Sequence, residues 1–194
     1  MKKDIIIAGV GGQGIISIAA MIGYAALEKN LNIKQTEVHG MSQRGGEVVT
    51  HLRLSDTQIY SDLVPIGKAD LIIGMEPLEA LRYIHFLKPD GWLISNSIPI
   101  MNMISYPDIN KIISRIKEVK NHILIPANDI AKQHLNNDKV VNTLLLGACA
   151  PFLGLTDKEL LNAIEKFFSN KGEQIIELNK KAFQLGFNFS ENYK

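Results

Sequence analysis

The stretch Gly9-Val10-Gly11-Gly12-Gln13-Gly14 constrains the fold of this 194-residue chain more than any other. It follows a short apolar run of β character from Asp4 to Val10. After it, Ile15, Ile18, Ala19, Ile22, Ala25 and Ala26 recur at helical spacing, predicting a helix that ends near Asn30. Asn32 to Val38 reads as a second strand, so the opening is predicted as a βαβ unit and the seed of a parallel sheet. Glycines at such a turn permit close backbone approach, and the helix start presents free N–H groups to an anion. A dinucleotide site also needs an acid about 20 residues further on to hold a ribose. Glu37 stands roughly there, so this motif alone allows NAD or FAD.

The rest of the chain continues in the same style. Glu47 to Leu54 alternates, predicting a strand with one exposed face. Asp70 to Gly74 reads as a buried strand, and Pro77 opens a helix to about Phe86. Lys88-Pro89-Asp90-Gly91 signals a turn before a strand at Trp92 to Ser95. A helix from Asp108 to Val119 leads into the last parallel strand, His122 to Pro126. Helices follow from Asn128 to His134, Val140 to Phe152, the capping box at Thr156-Asp157-Lys158-Glu159 to Phe168, and Glu173 to Leu185. The tail after Gly186 is expected to be loosely held. The reading is one α/β domain over residues 1–194. It has a Rossmann-like, mostly parallel sheet, flanking helices and a helical C-terminal third.

Composition removes several function classes. A net charge of +1, with both signs interspersed, argues against nucleic acid or anionic membrane as partner. The apolar stretch at the start is too short for a signal peptide, and nothing later approaches a membrane span of about 20 apolar residues; a cytoplasmic protein is predicted. Cys149 is the only cysteine, within an apolar run, which suits a packed, inert thiol. One cysteine cannot hold an iron–sulfur cluster, which takes about four thiolates. The five histidines, His39, His51, His85, His122 and His134, lack zinc-like spacing, so no metal is expected on the chain. No Ser/His/Asp elbow and no Gly-Lys-Ser/Thr phosphate loop is present, so no catalytic residue is assigned.

Two features turn the first loop away from an ordinary dinucleotide fingerprint. Gln13 and Gly12 make it Gly-Gly-Gln-Gly, and Glu37 leads directly into a second glycine-rich loop, His39-Gly40-Met41-Ser42-Gln43-Arg44-Gly45-Gly46. Together these loops closely resemble the gamma-type domain of 2-oxoacid:ferredoxin oxidoreductases, over essentially the whole chain. The His-Gly-Met-Ser lead-in resembles the beta subunit of the indolepyruvate type. That resemblance implies a partnership with a large alpha subunit that binds thiamine diphosphate with Mg and carries ferredoxin-like iron–sulfur clusters. Such a complex decarboxylates an aryl 2-oxoacid, passes electrons to ferredoxin and releases an acyl-coenzyme A, coenzyme A being a co-substrate. This sequence agrees by what it lacks: cluster cysteines, and a Gly-Asp-Gly…Asn-Asn thiamine signature.

The residues proposed to line the shared site are Gly9, Gly11, Gly12, Gln13 and Gly14 in the first loop. In the second loop they are His39, Met41, Ser42, Gln43, Arg44, Gly45 and Gly46. Arg44 carries a rigid fork of donors for phosphate or carboxylate, and Gly45-Gly46 suits an anion nest. An internal ion pair bracing the loop explains Arg44 equally well, and His39 more simply holds the loop than moves protons. Glu37, Glu76 and Asn142 form a second tier. Glu76 stands at a strand's carboxyl end, where open α/β sheets bind ligands, or serves as a first-turn helix acid. Asn142 either faces the same crevice or caps its helix. Both glycine loops also have a purely structural reading, close packing of helix, sheet or a neighbouring chain. Two rival functions remain: a free-standing NAD or FAD oxidoreductase, and a non-catalytic assembly module. Self-association of the isolated chain stays open.

Overall fold

The computed structural model describes residues 1–40, 45–101 and 105–193. Its strands are β1 (Lys2–Val10), β2 (Asn32–His39), β3 (Glu47–Ser55), β4 (Ala69–Gly74), β5 (Leu87–Asn96) and β6 (His122–Ile125). They form one sheet in the order β2-β3-β1-β4-β5-β6. The helices are α1 (Ile15–Glu28), α2 (Pro77–Arg82), α3 (Ile109–Lys117), α4 (Ala127–Leu135), α5 (Val141–Leu153), α6 (Asp157–Phe168) and α7 (Glu173–Ser190). Strand alternation sorts the core into two layers. Ile5, Ile7, Leu71, Ile73, Ile94, Ile123 and Ile125 pack toward α1 and α4–α7, whereas Ile6, Ile72 and Leu93 pack toward α2 and α3. Burial on both faces is why the central strands read as unbroken apolar runs. Among the described residues, no helix is long and apolar enough to cross a membrane.

The α/β class and mostly parallel sheet hold, with four departures in detail. First, β1 and β2 run the same way but are not neighbours, because β3 is inserted antiparallel between them. Second, β3 lacks the expected exposed face; from Val48 to Leu52 every residue is buried. The reason is that the segment after β3 folds back over it. Val64 N–H donates to His51 Nδ1 at 3.1 Å, and Phe86 meets the His51 ring edge-on at 5.2 Å between centroids.

Third, Lys88-Pro89-Asp90-Gly91 lies inside β5, where the β4–β5 register breaks between Ala69 and Leu71. Pro and Gly there mark a bulge, the other backbone feature they favour. The helix beginning at Pro77 also stops at Arg82, followed by a single 3-10 turn, Ile84–Phe86.

Fourth, the chain after Gly186 is helical to Ser190 rather than loose. The cause is a close crossing of α5 and α7. A Cβ on Gly147 would sit 2.0 Å from the Phe183 carbonyl oxygen, and one on Gly186 would sit 1.8 Å from that of Leu144. The backbones therefore touch, and Phe187 and Phe189 pack onto the core beyond the crossing. The Thr156 capping box forms as expected, Thr156 Oγ1 accepting from Glu159 N at 3.2 Å and Glu159 Oε2 accepting from Thr156 N at 2.7 Å. Such a cap contributes about 1 kcal/mol.

Candidate functional site

The first glycine loop leaves β1 and starts α1 with Gly14 at φ +80°, a left-handed position that disfavours any side chain. Gln13 folds back into the loop: its Oε1 accepts from Val10 N at 2.7 Å, and its Nε2 donates to the Met75 carbonyl at 3.0 Å. Both ends of that amide are thus spent tying the end of β1 to the end of β4. The amides of Gly12 and Gly14 make no hydrogen bond among the described residues. They stand at the start of α1, whose dipole favours negative charge.

A cleft of about 400 Å³ opens beside this loop, lined by Gly12, Gln13, Gly14, Met75, Asn128 and Asn142 among others. It lies at the carboxyl ends of β1 and β4, where the chain's connections diverge to the two sides of the sheet. Open α/β sheets place their ligand crevice at such a point. Two asparagines on its walls have their oxygens already engaged. Asn128 Oδ1 accepts from Asn96 Nδ2 at 2.8 Å, and Asn142 Oδ1 accepts from Thr143 N at 2.9 Å. Their Nδ2 groups have no hydrogen-bond partner among the described residues. The orientations follow from the hydrogen-bond network, which leaves N–H donors to serve a ligand. Lys139 adds an ammonium that forms no ion pair among the described residues, and Asp138 stands beside it in the lining.

Asn96 organises the floor of this cleft from a buried position at the end of β5. Its Nδ2 donates to Asn128 and, at 3.4 Å, to the Met75 carbonyl; its Oδ1 accepts from Ile98 N at 3.3 Å and Ala127 N at 3.2 Å. Three strand ends are thereby stitched together. Sequence reasoning missed Asn96, Asn128 and Lys139. The available signal was one polar residue at or just beyond the carboxyl end of successive strands, Asn96 after β5 and Asn128 after β6.

On the other side of the loop lies a more apolar cleft of about 430 Å³, lined by Val10, Ile15, Ile16, His39, Gly40 and Val48 among others. The two glycine loops meet here, Gly11 N–H donating to the Gly46 carbonyl at 2.9 Å. Gly40 N–H donates to the Glu47 carbonyl at 2.9 Å, closing the β2–β3 connection. Met41, Ser42, Gln43 and Arg44 lie outside the described residues. Gly45 has a left-handed φ of +78°.

Glu37 and His39 pair with each other, His39 Nε2 to Glu37 Oε2 at 3.1 Å, and Gln35 Nε2 donates to Glu37 Oε1 at 2.7 Å. Glu37 sits on β2, two strands away from β1, hence about 10 Å aside at ordinary strand spacing. A ribose-binding acid belongs on the strand next to β1, so the inserted β3 weakens the dinucleotide reading. Glu76 is buried and caps α2, its Oε2 accepting from Glu79 N at 2.9 Å; it is not among the cleft-lining residues. Cys149 is fully buried, and burial pushes its thiol up out of the reactive range. No group of three or more metal-capable side chains occurs among the described residues.

Comparison with known proteins gives this architecture relatives. The family described as pyruvate ferredoxin/flavodoxin oxidoreductase matches residues 4–189. Over 197 aligned residues, the chain is 38% identical to indolepyruvate oxidoreductase subunit IorB of Pyrococcus horikoshii, covering 96% of this chain and 95% of that one. The corresponding subunit of Archaeoglobus fulgidus is 34% identical, with 97% and 95% covered. Among solved structures, pyruvate oxidoreductase subunit PORC of Thermotoga maritima superposes with a TM-score of 0.72 at 22% identity, over 97% of this chain and 96% of that one. A 2-oxoglutarate:ferredoxin oxidoreductase from Magnetococcus marinus, solved with 2-oxoglutarate, coenzyme A and succinyl-CoA bound, superposes at TM-score 0.77 and 21% identity. That match covers 98% of this chain and 31% of the Magnetococcus chain.

Proposed function

Since the chain belongs to the pyruvate ferredoxin/flavodoxin oxidoreductase family, we propose that it is a small subunit of the indolepyruvate type and completes a site shared with a large alpha subunit. The complex converts an aryl 2-oxoacid and coenzyme A to an acyl-coenzyme A, with loss of carbon dioxide and transfer of electrons to ferredoxin. Thiamine diphosphate, Mg and the iron–sulfur clusters belong to the partner. A single, fully buried cysteine on this chain does not fit a cluster site. We place the complex in the cytoplasm.

The observation that carries the proposal is the donor-lined cleft. Asn128, Asn142, the amides of Gly12 and Gly14, and Lys139 all offer hydrogen to a ligand. Such a set suits the oxyanions of coenzyme A or of a 2-oxoacid. In this proposal Ser42, Gln43 and Arg44 of the second loop help seat coenzyme A or the 2-oxoacid, or order the partner's loops. Glycine backbone at the cleft lets the ligand or the partner approach closely.

A tagged pull-down under anaerobic conditions tests this. The expected result is a brown complex with one large partner that reduces a viologen dye when given indolepyruvate and coenzyme A. In that complex, Arg44→Ala is expected to cut turnover while the fold survives; an unchanged rate removes Arg44 from the site. A colourless lone chain that binds NAD or FAD would overturn the proposal.

A further inference from the structure

One wall of the donor-lined cleft is the segment Ile98, Pro99 and Ile100, just beyond β5. Short irregular segments hold a wall only where their polar groups are pinned, and here each anchor is visible. Ser97 N–H donates to the Ile125 carbonyl at 2.9 Å, and Ile98 N–H donates to Asn96 Oδ1 at 3.3 Å. The outer anchor is different in kind. Glu76 Oε1 accepts from Ile100 N at 3.4 Å and also from the Tyr106 hydroxyl, while its Oε2 caps α2.

A buried carboxyl group therefore joins three things: the first turn of α2, the outer end of the cleft wall, and the chain's return toward α3. Glu76 is 1% exposed, so its carboxyl oxygens are satisfied by these donors rather than by water. Tyr106 is well suited to stay a donor, because burial, and then its bond to Glu76, push its phenol above the ordinary range.

We propose that Glu76 and Tyr106 form a latch that sets the position of the Ile98–Ile100 wall, making them positioning residues for ligand binding in the adjacent cleft. The inference rests on the cleft being the ligand site of the assembled oxidoreductase. Neither residue touches the ligand; they act through the wall. Loosening the latch widens the cleft and costs affinity more than chemical rate.

The test uses the anaerobic complex with Tyr106→Phe, which removes one donor and keeps the helix cap, and Glu76→Gln as a second variant. Steady-state kinetics with indolepyruvate and coenzyme A as probes are combined with hydrogen exchange across residues 97–101. Expected for Tyr106→Phe is a KM for one probe raised roughly 3- to 10-fold with kcat within about twofold, as for loss of one ordinary hydrogen bond. Exchange at 97–101 is expected to speed up while that of β1 and β4 does not. Unchanged exchange in both variants overturns the latch, and so does faster exchange with both kinetic constants unmoved. If the wild-type complex is silent with indolepyruvate, the functional reading falls, while the exchange rates still decide the latch.

Discussion

Glycine is used in opposite ways at two places in this molecule. At the mouth of the cleft, Gly14 holds a left-handed turn at φ +80°, and the amides of Gly12 and Gly14 have no hydrogen-bond partner among the described residues. At the α5–α7 crossing, Gly147 and Gly186 stay helical and let two backbones touch, with no room left for a Cβ. The first arrangement creates a surface for something else to meet; the second removes space so that the helical third can close on itself. A glycine-rich motif marks the first, while the second carries no motif and bears on stability.

The largest expected effect comes from the crossing. In an exposed helix, Gly→Ala stabilises by about 1 kcal/mol, yet Gly186→Ala here should cost about 3 kcal/mol, from overpacking against the Leu144 carbonyl. Thermal or urea unfolding reads that sign directly; a gain in stability would break the comparison. Gly14→Ala should separate stability from function. Its left-handed strain costs about 1–2 kcal/mol, and its Cβ would meet Asn142 Nδ2 at 2.5 Å. Turnover of the assembled complex should then fall up to roughly 100-fold, as for an ångström-scale displacement in a site.

Asn128→Asp sharpens the claim that the cleft offers donors. Replacing an amide donor with a carboxylate should raise KM for an anionic ligand about tenfold, the equivalent of one charged hydrogen bond, with little loss of stability. The smallest effect lies away from both glycine sites, at His51. Burial lowers its pKa, and the neutral ring accepts from Val64 N. A base with a lowered folded pKa contributes stability that is present above its unfolded value near 6.5 and lost as pH falls through the folded value. The wild-type unfolding free energy should therefore drop on acidification below about pH 6.5 more than that of His51→Gln, by about 1 kcal/mol, the net worth of one hydrogen bond, as read by urea unfolding at each pH.

How much of this was legible in the sequence depends on the range of the interaction involved. The first loop, α1 and the Thr156 capping box are local patterns, and all three were readable within a few residues. Gln13 was readable as unusual but not as a clamp, because its partner Met75 is 62 positions away. The insertion of β3 between β1 and β2 was invisible for the same reason: local alternation says nothing about which strand pairs with which. The Asn96–Asn128 pair joins residues 32 positions apart, so it was likewise out of reach of a local reading. The roles of Gly147 and Gly186 were hidden because the backbones they let touch, at Phe183 and Leu144, lie far away in the sequence. The resemblance drawn from the two loops named the right family because each loop is one unbroken stretch of sequence.

The central claim is that this chain completes a site it does not itself fully contain. The most direct measurement is an omission assay: the purified large subunit, indolepyruvate, coenzyme A and a viologen dye under anaerobic conditions, with and without this chain. The account expects dye reduction only when both chains are present, and its loss when Gly14→Ala replaces the wild-type small subunit. Equal turnover by the large subunit alone would contradict it.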